Sequence, residues 1–102
     1  MTVDPEVVLS ALHETADAVV AVLAEQEDWG LSGHRSDQYA TDVVADEAVH
    51  GLLDPLGYGV LSEESGLSEP SIDGMPVIVV DPLDGSTNAS RGLPWYATSL
   101  CA

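Results

Sequence analysis

Near the start of the chain, apolar residues recur at helical spacing, at Val8, Leu12, Ala16, Val19 and Leu23, and this stripe predicts a long amphipathic helix. Asp4 can cap its start, and Pro5 suits a first turn, where a missing N–H costs nothing. The pattern fades through Glu25 to Asp28 and stops near Gly30. His13, Glu14 and Asp17 read as its solvated face, and Trp29 and Leu31 can cover an edge of the core. Residues 32–41 are polar and turn-rich, hence a loop. A second helix follows, with Thr41 or Asp42 as its cap and Val44, Ala48 and Leu52, flanked by Val49 and Leu53, as its buried side. Gly51 weakens it, and Asp54-Pro55 followed by Gly57 ends it.

Beyond this point the spacing shortens. Tyr58 to Ser62 reads as a short strand that delivers Glu63 and Glu64 to its end. Neighbours on an extended chain face opposite ways, so one of the two carboxylates is expected to point into any site formed there. Leu67 to Gly74 reads as a loop. Val77 to Val80 is an unbroken β-branched run, which predicts a strand buried on both faces. Asp81 is expected to end that strand, because Pro82 fixes its own φ and pushes the preceding residue toward extended geometry. Asp84 then falls on the turn. Gly85 permits positive φ, and Ser86, Thr87 and Asn88 add hydroxyl, amide and N–H donors as the chain turns. Trp95 to Ala102 suggests a last strand, with Trp95 and Tyr96 packing on the core.

The two carboxylates of Asp81 and Asp84 repel unless a cation lies between them, and a hard divalent ion with oxygen ligands, Mg²⁺ first, is the expected partner. The alternative for an isolated D-x-x-D is a capping Asp plus a turn Asp with no ligand.

Charge narrows the partners further. The chain has 102 residues, 18 acidic against 2 basic, and a formal net charge of −16, which argues against nucleic acid and anionic membranes. It is also a poor surface for phosphate: Arg35 and Arg91 are the permanent cations, so a phosphate ester would need bound metal to attract it. At 45% apolar with no Phe, the chain can build a modest core, as one small domain or part of a larger one. A single cysteine, Cys101, excludes an internal disulfide, fits a reducing cytoplasm, and is expected to be a small buried hydrophobe. No signal peptide or membrane span is expected. His34 and His50 show no metal-ligand pattern and are assigned surface or packing roles.

The string DPLDGSTN, delivered by a strand, resembles the metal-binding signature of the inositol monophosphatase family, D-P-[LI]-D-G-[ST]-T-N. YATDVVADEAV is similar to that family's T-D-x-x-x-x-E helix start. Ser62 to Ser65 resembles its G-E-E-S, with Ser62 in place of glycine, and Ala89 to Pro94 its N-F-x-x-G-x-P, with Ala89 where an aromatic is common. The resemblance implies an α+β fold, the amino-terminal part of a layered sandwich of the sugar-phosphatase type, with residues 1–102 as the amino-terminal portion and a later W-D-x-A-A type segment missing. It implies a Mg²⁺-dependent phosphomonoesterase that hydrolyses a small phosphorylated metabolite by metal-activated water.

The same resemblance assigns the roles. Glu63, Asp81 and the Leu83 carbonyl would bind one metal, and Asp81 and Asp84 a second, with Asp81 bridging. Ser86, with Asp42 and Glu63, would orient the attacking water, and the N–H groups of Gly85, Ser86 and Thr87 would hold phosphate. It implies no nucleic-acid or membrane partner and allows a homodimer. Two alternatives remain. A haloacid-dehalogenase-type phosphatase has paired aspartates separated by a single residue, whereas Pro82 and Leu83 both lie between Asp81 and Asp84. A noncatalytic metal- or phosphate-binding fragment is the other.

Overall fold

The chain starts as a capped helix. In a computed structural model, which describes residues 3–25, 40–85, 91 and 97–102, helix α1 runs Pro5–Glu25. Asp4 Oδ1 accepts the Glu6 N–H at 2.9 Å, as a capping carboxylate should. The buried line is Ala11, Thr15, Val19 and Leu23: Val19 and Leu23 are buried as expected, whereas Ala11 and Thr15 take the place of Leu12 and Ala16, which with Val8 are half-buried. Thr15 can occupy this line because its hydroxyl donates to the Ala11 carbonyl at 2.7 Å and needs no partner outside the helix. His13, Glu14 and Asp17 are exposed, as expected. By length and composition alone α1 is long and apolar enough to cross a membrane, with a mean hydropathy of 1.6. Its buried line packs on the second helix and the last strand.

Helix α2, Ala40–Leu53, buries Thr41, Asp42, Ala45, Asp46, Val49 and Leu53. Thr41 and Asp42 therefore lie inside the first turn of a helix already running at Ala40, and the capping role expected of them is not the one they have. Val44, Ala48 and Leu52 form the half-buried flank. A single 3₁₀ turn, Asp54–Leu56, closes the segment, and Gly57 follows at φ +89°. Glycine is required there twice over, for the left-handed backbone and because a Cβ would run into the Ile72 side chain.

Four strands form one mixed sheet in the order β2-β1-β3-β4: β1 Gly59–Ser62, β2 Gly66–Ser68, β3 Val77–Asp84 and β4 Ala97–Cys101. β1 and β3 are parallel, with Gly59 opposite Val77 and Ser62 opposite Val80, whereas β2 and β4 pair antiparallel on either side. Three expectations change here. The loop assigned from Leu67 begins as β2, a strand too short for its alternation to show. Tyr58 precedes β1. β3 does not end at Asp81 but runs to Asp84 by way of a bulge: Asp81 faces Ser99 and Asp84 faces Ala97, so Pro82 and Leu83 together oppose Thr98. Pro82, which has no N–H to give a ladder, is tolerated at that irregularity, and the Thr98 hydroxyl donates to its carbonyl at 2.9 Å.

The helices cover one face of the sheet. Val60, Ile78 and Val80 are buried beneath Val19, Val49 and Leu53. The other face is open among the described residues. Leu67, Leu61, Val79 and Cys101 are successive partners across all four strands, and all four are exposed, Val79 by 49%. The β-branched run is thus buried on one face rather than two, and Cys101 is exposed rather than buried. Trp29, Leu31, His34, Arg35, Trp95 and Tyr96 lie outside the described residues.

Because Ile78 is fully buried, Ile78→Ala should cost about 2–5 kcal/mol, whereas Val79→Ala on the open face should cost less than about 1 kcal/mol. Urea denaturation of the two variants checks the difference.

Candidate active site

The site residues are brought together by strand pairing. The parallel register ends at Ser62 opposite Val80, so the next residues, Glu63, where the chain turns away, and Asp81, where β3 continues against β4, follow at the same end of the β1–β3 ladder. The Glu63 N–H still reaches the Val80 carbonyl at 3.5 Å. Glu63 and Glu64 are not strand residues: they begin the tight turn from β1 to β2, Glu63 exposed and Glu64 half-buried, and the Glu64 N–H donates to Ser62 Oγ at 3.1 Å. Asp81 is half-buried. Asp84 is exposed at the end of β3 rather than on the turn, and Gly85 follows at φ +83°, which starts the turn proper. The bulge takes the main chain at Pro82 and Leu83 out of the regular ladder.

Helix α2 supplies the other wall, since it packs on both β1 and β3. The Ser62 hydroxyl donates to Asp46 Oδ1, a buried contact that fastens α2 to the end of β1. Asp42 lies one turn earlier on the same buried line and is 3% exposed. Thr41, beside it, is fully buried, and its hydroxyl has no hydrogen-bond partner among the described residues. Ser86, Thr87 and Asn88 lie outside the described residues, so of the residues expected to hold phosphate Gly85 is the one described.

These donors are carboxylates and main-chain oxygen, the hard ligands that Mg²⁺ takes. Arg91, the one permanent cation among the described residues, is exposed. Among those residues, no three His, Cys, Asp or Glu side chains lie close enough together to enclose a cation. What they offer is an open set on two neighbouring strand ends, compatible in chemistry with a hydrated ion and short of a complete cage.

A model of the inositol monophosphatase family matches residues 4–102. The chain belongs to that family. Inositol-1-monophosphatase ImpA of Mycolicibacterium smegmatis is 37% identical over 98 residues, covering 81% of this chain and 35% of that protein. A fructose-1,6-bisphosphatase/inositol-1-monophosphatase of Thermococcus kodakarensis is 48% identical over 59 residues, covering 58% of this chain and 22% of that one. Among solved structures, the extragenic suppressor protein suhB of Bartonella henselae superposes with a TM-score of 0.70 at 28% identity, over 92% of this chain and 37% of that chain. The α+β fold is therefore that of this family's members, and the chain spans a little over a third of their length at most.

His50 and Ser65 are the residues that sequence reasoning missed. His50 Nδ1 lies 3.0 Å from both oxygens of Asp54, and its Nε2 lies 2.9 Å from Ser65 Oγ and 3.7 Å from Asp46 Oδ2. The signal was the four-residue spacing of Asp46, His50 and Asp54, which places the three on one helix face.

Ser62→Ala should cost about 1–3 kcal/mol, because it strips a buried carboxylate of its hydroxyl donor. In urea denaturation, the loss in Ser62→Ala/Asp46→Ala should fall short of the sum of the two single losses, since the pair is one interaction.

Proposed function

We propose that the chain is the amino-terminal portion of a cytoplasmic, Mg²⁺-dependent phosphomonoesterase acting on a small phosphorylated metabolite, inositol monophosphate or a related sugar or alcohol phosphate. The observation that carries this reading is the parallel β1–β3 register, which sets Glu63 and Asp81 at one sheet edge with Leu83 and Asp84 just beyond. The relatives' names support the substrate class.

In this reading Glu63, Asp81 and the Leu83 carbonyl would hold one ion, and Asp81 and Asp84 would hold a second. Bound Mg²⁺ supplies charge stabilisation for phosphoryl oxygens and acidifies water. The protein's own part is positional. Asp42, held on the inward face of α2, takes up with Ser86 the hydrogen bonds that orient the attacking water. Gly85, at positive φ, starts the turn, and its N–H with those of Ser86 and Thr87 would hold the phosphate oxygens and stabilise charge as it develops. With so few cations in the chain, phosphate is held through metal rather than through arginine. A second reading, binding of metal or phosphate without hydrolysis, is favoured by the open, incomplete donor set. Release of phosphate from inositol monophosphate in millimolar Mg²⁺ decides between the two.

Calorimetry with inorganic phosphate should show binding in Mg²⁺ and none in chelator, and equal affinity in both would overturn the metal bridge. Among Glu63→Gln, Asp81→Asn and Asp84→Asn, the Asp81 variant should lose the most Mg²⁺ affinity, by about tenfold more than either of the others, or roughly 1.4 kcal/mol. A bridging carboxylate serves both ions, whereas the others serve one.

A further inference from the structure

Between α2 and the β1–β2 turn, a histidine is held from both ends. Asp54, at the foot of α2, presents both carboxylate oxygens to His50 Nδ1 at 3.0 Å. An ionised carboxylate only accepts, so Nδ1 carries the proton, and the Ser65 hydroxyl can donate to Nε2 at 2.9 Å. Ser65 is the last residue of the turn that begins with Glu63. The same turn is pinned at its start, where Ser62 donates to Asp46 and accepts the Glu64 N–H. Asp46 and His50 are one turn apart on α2, so a single helix face grips the residues on either side of the Glu63–Glu64 pair.

The turn needs such a grip. Its main chain leaves the β1–β3 ladder after Ser62, where the Glu63 N–H reaches the Val80 carbonyl at 3.5 Å. Glu63 itself is exposed. A carboxylate on an exposed three-residue turn samples many positions unless the turn is tied down. The pairing of Ser62 with Gly66 closes the main chain of the turn, and the imidazole adds a side-chain tie at its last residue, Ser65.

We propose that His50 is a positioning residue for Glu63, acting through Ser65: the Asp54–His50–Ser65 relay holds the β1–β2 turn so that the Glu63 carboxylate faces Asp81. This rests on the proposed metal role of Glu63. Ligand-orienting groups of this kind are typically worth about 10–100-fold in metal affinity.

The test is Mg²⁺ titration by calorimetry of the full chain, with thermal melting followed by circular dichroism on the same samples. Ser65→Ala and His50→Ala should each weaken Mg²⁺ binding about tenfold, and the double variant about tenfold rather than about a hundredfold, since both remove one relay. His50→Gln, whose amide reaches the place of Nε2, should recover most of the affinity. A purely structural role would lower the melting temperature and leave Mg²⁺ affinity unchanged, and that result overturns the proposal. Glu63→Gln separates the two levels. If it weakens Mg²⁺ binding while Ser65→Ala and His50→Ala do not, the positioning role alone is wrong. If Glu63→Gln binds Mg²⁺ as the parent does, or the parent binds none, the metal role of Glu63 falls and the positioning role with it.

Discussion

Main-chain hydrogen bonding between β1 and β3 in parallel register brings Glu63 and Asp81, eighteen positions apart in the chain, to one edge of the sheet. Two carboxylates would not gather there unaided, because like charges repel and closing the intervening loop costs chain entropy. What holds them is burial elsewhere: Val60, Ile78 and Val80 lie under α1 and α2, on the far side of the same strands. The apolar core and the acidic edge are thus two ends of the same two strands. The edge is tolerable as long as the core is intact, and a cation arriving there relieves the repulsion.

The core is not wholly apolar where α2 meets the end of β1. Asp46 and Ser62, both buried, are satisfied by one another, and the pairing lends direction to an interface that hydrophobic contact alone would leave free to slide. Ser62 is also the position at which the chain departs from its family's glycine, so the departure has a structural use. The opposite sheet face is a contrast, with the exposed row of Leu67, Leu61, Val79 and Cys101 across four strands.

Much of this was legible in the residue pattern. The 3.6-residue stripe located α1, Asp4 announced its cap, and Asp54-Pro55 with Gly57 marked the end of α2. The acidic residues of the candidate site could be named, because DPLDGSTN and the Glu63–Glu64 pair are specific strings of oxygen donors. What the pattern misplaced were features decided by a neighbour. β2 is three residues long, too short for periodicity, and exists because β1 offers it an edge. Pro82 looked like a strand terminator, yet β3 continues because it bulges there against β4 and Thr98 takes up the Pro82 carbonyl. Thr41 and Asp42 have the composition of caps but lie inside the helix, where packing on the sheet claims them.

By itself, then, the sequence determined the helices, the central strand, the acidic character and the family, since each is written in local spacing or in a contiguous motif. Only the tertiary structure decided that β1 and β3 run parallel, that Val79 lies on an open face while Ile78 on the same strand is buried, and that His50 joins Asp54 to Ser65. Those facts depend on which strand lies beside which and which helix face meets the turn. Residues distant in the chain carry no local mark of one another until the backbone hydrogen bonds of the sheet and the burial of its inner face bring them into contact.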